Sequence, residues 1–137
     1  MRNVRGCLAI LALLSLESCQ MDTPTSLRSC VPLTGRYAGV FTDSCGLSKT
    51  EDVTLFQTSC TVVAEVPGVG SLQGTVEGQT LVFAIGFAGF SPCGGSASGS
   101  ATVTSSGGLS GTYAGQATGA GTTCCGNVSG SFTLTRK

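Results

Sequence analysis

Histidine and tryptophan are both missing from this 137-residue chain. The first absence removes the commonest general base at neutral pH and the commonest metal ligand. Charge is scarce as well. Asp, Glu, Lys and Arg make up 10% of the residues, against roughly 25% in typical domains. Acids and bases balance to a formal net charge of zero, and no run of Lys or Arg occurs, so nothing attracts nucleic acid or anionic lipid electrostatically. No apolar run approaches the roughly twenty residues of a membrane-spanning helix. P-loop, G-x-S-x-G and C-x-x-C patterns are also lacking, which leaves no motif for phosphate cradling, a serine nucleophile or a zinc site. No cofactor or metal is implied.

What the chain has instead is glycine, 21 of it, and a recurring phrase. Leu33-Thr34-Gly35-Arg36-Tyr37-Ala38-Gly39 returns as Leu109-Ser110-Gly111-Thr112-Tyr113-Ala114-Gly115, and in shorter form as Leu72-Gln73-Gly74-Thr75-Val76 and Val128-Ser129-Gly130-Ser131-Phe132. In every copy an apolar residue, a glycine and a second apolar or aromatic residue sit two apart. A period of two marks a strand with one buried face.

The N-terminus reads differently. Arg2 and Arg5 precede the uncharged stretch Gly6–Leu16, which is too short to cross a bilayer and suits the apolar core of a signal helix. Leu16-Glu17-Ser18-Cys19 then resembles the bacterial lipobox, with Leu at −3 and a small residue at −1 from the lipidated cysteine. Glu17 departs from that pattern, whose −2 position is small or apolar. The resemblance covers residues 1–19 and implies a bacterial lipoprotein acylated at Cys19 and anchored in a membrane. By analogy with enteric sorting, Gln20 after the cysteine points to the outer membrane of the cell envelope. The division expected is a signal peptide over 1–18, a lipidated cysteine and flexible tether over 19–32, and one domain over 33–137. Pro24, Pro32 and the absence of periodicity make 20–32 a linker.

From Leu33 onward eight strands are expected, near 33–41, 52–57, 61–66, 70–76, 80–87, 97–104, 109–117 and 127–136. Short connections pair strands in sequence order, and eight strands close well. The fold expected is all-β, an eight-stranded up-and-down antiparallel barrel. Parity places Leu33, Tyr37 and Phe41 inside, then Val53, Leu55, Val62, Leu72, Val76, Leu81, Phe83, Ile85 and Phe87. Val103, Leu109, Tyr113, Val128, Phe132 and Leu134 complete that face, with Gly35, Gly74, Gly99, Gly111 and Gly130 among them. A β-solenoid with outward Thr102/Thr104 and Thr133/Thr135 pairs lacks the fixed period it needs. A membrane-spanning barrel lacks an apolar outer face.

Eight cysteines point to an oxidising compartment. With Cys7 in the signal and Cys19 in the lipobox, six remain. Successive connections of a meander alternate between the two ends, so Cys30 and Cys60 share one end. Cys45, Cys93, Cys124 and Cys125 share the other. Disulfides need Cα atoms within about 7 Å, which pairs Cys30 with Cys60. Cys45 and Cys93 each take one of Cys124 and Cys125, with the order open. A redox or metal role for Cys124-Cys125 is the competing reading.

Gly35-Arg36-Tyr37 resembles the G-x-W opening of lipocalin and avidin-like barrels, with Tyr in place of Trp. That resemblance covers one strand and implies a meander barrel able to hold a small ligand, with no ligand residue carried over. The adjacent acids Glu51 and Asp52 should point to opposite faces of their strand, which leaves no paired carboxylates for catalysis. Two functions are expected of a non-enzymatic, membrane-anchored envelope lipoprotein. One is a structural or small-ligand-binding barrel, with Tyr37, Phe83, Phe87, Tyr113 and Phe132 around an apolar ligand. The alternative is an interaction or inhibitor module meeting an envelope protein through the Cys-rich loops 42–50, 88–96 and 118–126.

Overall fold

The computed structural model describes the backbone of residues 29–90, 93–119 and 126–137, and the side chains of all of these except 87–90 and 93. The expected signal helix, Cys19, Cys124, Cys125 and the side chains of Phe87 and Cys93 lie outside the described residues. Eight strands run in order: β1 Gly35–Asp43, β2 Ser48–Thr58, β3 Thr61–Val66, β4 Gly70–Glu77, β5 Thr80–Phe90, β6 Cys93–Val103, β7 Leu109–Gly119 and β8 Gly126–Arg136. Each pairs antiparallel with the next, and β8 closes on β1, with Tyr37 opposite Arg136 and Phe41 opposite Phe132. The architecture is the expected closed meander and is compatible with a lipocalin-like barrel. Closure leaves no strand edge unpaired.

Alternation decides which face each strand buries. β3 is the plainest case: Val62, Ala64 and Val66 are buried while Thr61, Val63 and Glu65 face out. The apolar side chains expected inside are buried as parity placed them, except Val103, which is partly buried against the core, and Phe87, whose side chain is outside the described set; the five glycines of that face are partly buried. Ala64, Val66, Val69, Ala97 and Ala101 join that core. The alanines carry too little apolar surface to stand out in a sequence pattern.

The registers fix the shape of the barrel. A row running perpendicular to the strands passes from Gln57 through Val62, Gly74, Phe83, Gly99, Tyr113 and Gly130, and reaches β1 at Asp43. The β1–β2 register, continued two residues beyond the Gly35–Leu55 pair, sets Gln57 opposite position 33. The row therefore returns ten residues further along β1 than it set out. Such a stagger tilts the strands by about 40°, and eight strands enclose room for little more than their own side chains.

Glycine and ring alternate along that row. A Cβ on Gly99 would lie 2.9 Å from Cζ of Phe83 and 2.9 Å from the Tyr113 Cα, and one on Gly130 would meet the Tyr113 ring. Rings lie where these glycines leave space, which offsets the weakness of glycine in a strand. Phe132 extends the cluster, stacked on Phe41 with centroids 5.9 Å apart and edge-on to Phe83 at 5.5 Å. Aromatic pairs in these geometries contribute about 0.5–1.5 kcal/mol beyond their area burial.

Strand bounds differ from the expectation in two directions. β1 starts at Gly35, two residues later than expected, because Leu33 leaves the ladder to cap the barrel. β2 starts at Ser48, and the β5–β6 and β7–β8 hairpins reach Phe90, Cys93, Gly119 and Gly126. The connections are thus 44–47, 91–92 and 120–125, shorter than the loops expected. Backbone pairing with neighbouring strands continues through glycine and serine where side-chain pattern gives no sign of it: Gly95 pairs with both Phe87 and Ala117.

Candidate functional site

The two ends of the barrel are built from different materials. At the closed end lie residues 30–34, the β2–β3 turn at 59–60, the β4–β5 turn at 78–79 and the β6–β7 connection at 104–108. Cys30 and Cys60 are bonded there, with Cα atoms 5.5 Å apart, as alternation of the connections predicts. Leu33 is fully buried. Its N–H donates to Oε1 of Gln57 at 2.6 Å, and its carbonyl accepts from the Tyr37 hydroxyl at 2.8 Å. Gln57 also donates from Nε2 to the Ser59 carbonyl at 2.8 Å. The plug therefore fills the end without stranding its own polar groups. Arg136 covers it from outside, 6.0 Å from the Tyr37 ring centroid and donating to the Thr34 carbonyl at 3.1 Å. Burial raises the Tyr37 pKa, and the Arg136 charge works against that rise.

The opposite end carries connections 44–47, 67–69, 91–92 and 120–125. Cys45 is held in a disulfide, and the cysteines expected as its partner lie outside the described side chains. The Asp43 carboxylate accepts from the N–H groups of Cys45 and Leu47, each at 2.8 Å, which fixes this turn. Lys49 and Glu51 lie 3.2 Å apart on inward-facing positions of β2, with side chains 40% and 28% exposed. Lys49 reaches over Gly68 in the β3–β4 turn. Tyr113 points its hydroxyl at the Thr42 carbonyl, 3.5 Å away. Burial, then the negative charge of Asp43, push its pKa up to about 12.

Of the five rings expected around a ligand, Tyr37, Phe83, Tyr113 and Phe132 are no more than 5% exposed and belong to the one packed core. The Phe87 backbone pairs with Gly95. The two described grooves lie on the outside of the barrel. One crosses the hydroxyls of Ser98, Ser100, Thr112, Ser129 and Ser131, and the other runs beside Phe56, Val63 and Glu65. Glu51 and Asp52 do point apart: Glu51 turns inward to Lys49, while Asp52 faces out to Lys137 and to Arg36 at 3.8 Å. The hydrogen bond from Lys137 chiefly lowers the Asp52 pKa. Among the described residues no three His, Cys, Asp or Glu side chains gather as a metal site would need, and no helix is long and apolar enough to cross a membrane.

Sequence reading missed the inward Lys49–Glu51 pair, the Arg136 cover and the exposed cross-strand pair Phe56–Val63. Running the parity of Val53 and Leu55 back past the expected start of β2 would have found the first. The class defined by fold and ends is a disulfide-stapled, closed eight-stranded meander whose Cys30–Cys60 end is plugged by Leu33. No family model, no curated protein and no solved structure matches the chain.

Proposed function

We propose that the chain is a non-enzymatic, lipid-anchored lipoprotein of the bacterial cell envelope, held at the outer membrane, whose barrel acts through its surface. The anchor rests on Cys19 and the lipobox-like residues before it. The observation behind the surface role is the continuous packing of Phe41, Phe83, Tyr113 and Phe132, which occupies the space a small apolar ligand would need. An envelope protein would meet the open end, where the connection holding Cys45 projects. In this reading Cys93, Cys124 and Cys125 supply the remaining bridges. The test is an intact mass of the chain purified from membranes, before and after reduction. It should show acyl groups at a chain beginning with Cys19 and a gain of six hydrogens on reducing three bridges. An unacylated mass ends the anchor reading.

A second reading keeps a small ligand at the open end. It is favoured by the inward Lys49–Glu51 pair, a charged contact where the barrel would admit a polar group. Saturable displacement of a hydrophobic dye, lost in Lys49→Ala, would support it. Absence of saturable binding leaves the surface reading in place.

A further inference from the structure

Four large apolar side chains stand well exposed among the described residues: Val40, Phe56, Val63 and Val82. Two of them, Phe56 and Val63, are direct cross-strand partners, so they form a pair rather than scattered points. Phe56 is 60% and Val63 44% exposed. The pair sits on the β2–β3 hairpin, whose turn holds Cys60. Cys60 is bonded to Cys30, where the tether meets the domain. The covalent path from Cys19 therefore ends on the same hairpin that displays the apolar pair.

Charges of both signs lie near the pair. Arg36 lies on neighbouring β1, opposite Thr54, with its side chain 73% exposed. Lys137 follows the end of β8 and donates its N–H to the Arg36 carbonyl. Glu65 lies opposite Thr54, as Arg36 does, two residues along from Val63, and Asp52 lies two residues from Thr54 on β2. Asp52 pairs with both cations, but such exposed pairs are weak and exchange readily for another anion. An exposed ring flanked by long cationic side chains is the pattern that settles at a headgroup boundary.

The tether restricts what can cover this patch. Ten residues separate Cys19 from Cys30. As a relaxed coil they span roughly 20 Å, less than the roughly 28 Å height of an eleven-residue strand tilted by about 40°. Full extension would carry them about 36 Å, so an anchor at Cys19 favours, on average, an orientation with the Cys30–Cys60 end toward the bilayer.

We infer that the Phe56–Val63 pair, with Arg36 and Lys137 beside it, is a docking surface for anionic lipid. The barrel leans on its β2–β3 hairpin and directs its open end away from the membrane. This rests on the anchor reading for orientation, and on the patch itself for contact. The chain has no tryptophan, so Phe56→Trp and Val40→Trp each introduce a single indole emitter. Val40 is exposed to a similar degree, 50%, but lies on β1 nearer the open end. Each full-length variant is reconstituted in vesicles of phosphatidylethanolamine and phosphatidylglycerol, about 3:1, with and without brominated acyl chains. Folding is checked by circular dichroism.

The expected result is a blue-shifted emission from the Phe56→Trp variant, quenched by brominated lipid at least about threefold more than that of the Val40→Trp variant. Adding Arg36→Gln and Lys137→Gln should roughly halve that difference. Equal quenching of the two variants overturns the docking surface. So does a blue shift of the Phe56→Trp emission that grows with protein concentration without vesicles, which would mean that a second copy covers the patch. Intact mass of the same sample reports acylation separately. If Cys19 carries no lipid, the anchor reading fails. Preferential quenching of Phe56→Trp in protein added to vesicles would then still uphold the patch, and its absence would still sink it.

Discussion

Tyr37 and Tyr113 occupy the same place in two copies of one sequence phrase, yet they serve opposite ends of the barrel. Tyr37 is fully buried, reaches its acceptor at 2.8 Å and has the Arg136 cation over its ring. Tyr113 is nearly as buried, but its acceptor is 3.5 Å away and the charge acting on it is the Asp43 carboxylate. The plugged end is locked by a bridge, a buried leucine and satisfied polar groups. The far end is held by a turn whose Cys45 is in a disulfide and by an ion pair, with a carboxylate set unfavourably beside a phenol. Repetition of sequence therefore sets the wall of the barrel, while the residues that differ between copies set its two ends.

The sharpest way to break this contrast is to remove the lock. Cys30→Ser or Cys60→Ser opens a loop with sequence separation 30. The chain-entropy relation puts the loss at about 3–4 kcal/mol, a large part of the stability of a domain this size. Urea unfolding under oxidising conditions should show that fall relative to the unchanged chain. A loss below about 1 kcal/mol would mean that Leu33 and its hydrogen bonds hold the end by themselves.

Titration of the two tyrosines separates the ends next. Both hydroxyls are raised above the ordinary value near 10, that of Tyr113 to about 12. A raised acid binds its proton more tightly in the folded state, so stability is full below pH 10 and falls as pH rises through 10 to 12. A tenfold difference in proton affinity between folded and unfolded chain corresponds to roughly 1.4 kcal/mol. Solvent near the open end screens part of this, so for Tyr113 the fall approaches about 2 kcal/mol. Denaturant midpoints between pH 8 and 12 should drop, and Tyr113→Phe should flatten the drop more than Tyr37→Phe does. An equal effect of the two substitutions would erase the electrostatic difference between the ends.

The wall was legible in the sequence because its rule is simple. Apolar residues two apart, interrupted by glycine, gave strand order, inward face and the Cys30–Cys60 pairing through nothing more than alternation. The ends were less legible, for physical reasons. Leu33 fits the strand parity yet acts as a plug, because its polar groups are met by the Gln57 side chain opposite it and by the Tyr37 hydroxyl four residues on, side-chain bonds that no alternation reveals. Lys49 and Glu51 share the inward parity of Val53 but are charged, so pattern alone sets them in a loop. Gly94 to Ser96 extend β6 through backbone bonds that no side chain advertises. Tyr37, Phe83, Tyr113 and Phe132 point inward as parity requires, and it is packing between non-neighbouring strands that makes such rings a core.

A finer probe of the plug is Tyr37→Phe at neutral pH. It removes the donor to the Leu33 carbonyl while keeping the ring and its contact with Arg136. A buried carbonyl left without its partner costs about 1–3 kcal/mol. The remaining ring keeps the volume filled, so a loss of about 1–2 kcal/mol is expected. The matching Tyr113→Phe loses a longer contact, 3.5 Å to the Thr42 carbonyl, and should cost less than Tyr37→Phe. Urea unfolding of the two variants side by side checks the ranking, and reversal would mean that the open end is the more tightly bonded.

The smallest effect belongs to the Lys49–Glu51 pair. Its separation of 3.2 Å is short, but both side chains remain partly exposed, at 40% and 28%. Solvent at that depth keeps the effective dielectric high, and ordering two long side chains offsets much of the attraction. A double-mutant cycle with Lys49→Ala and Glu51→Ala should give a coupling of about 0.5 kcal/mol, shrinking as salt rises from low to molar concentration. A coupling that exceeds about 1.5 kcal/mol and ignores salt would place the pair in a dry interior. The open end would then be closed by charge as firmly as the other is closed by Leu33, and the contrast between the two ends would disappear.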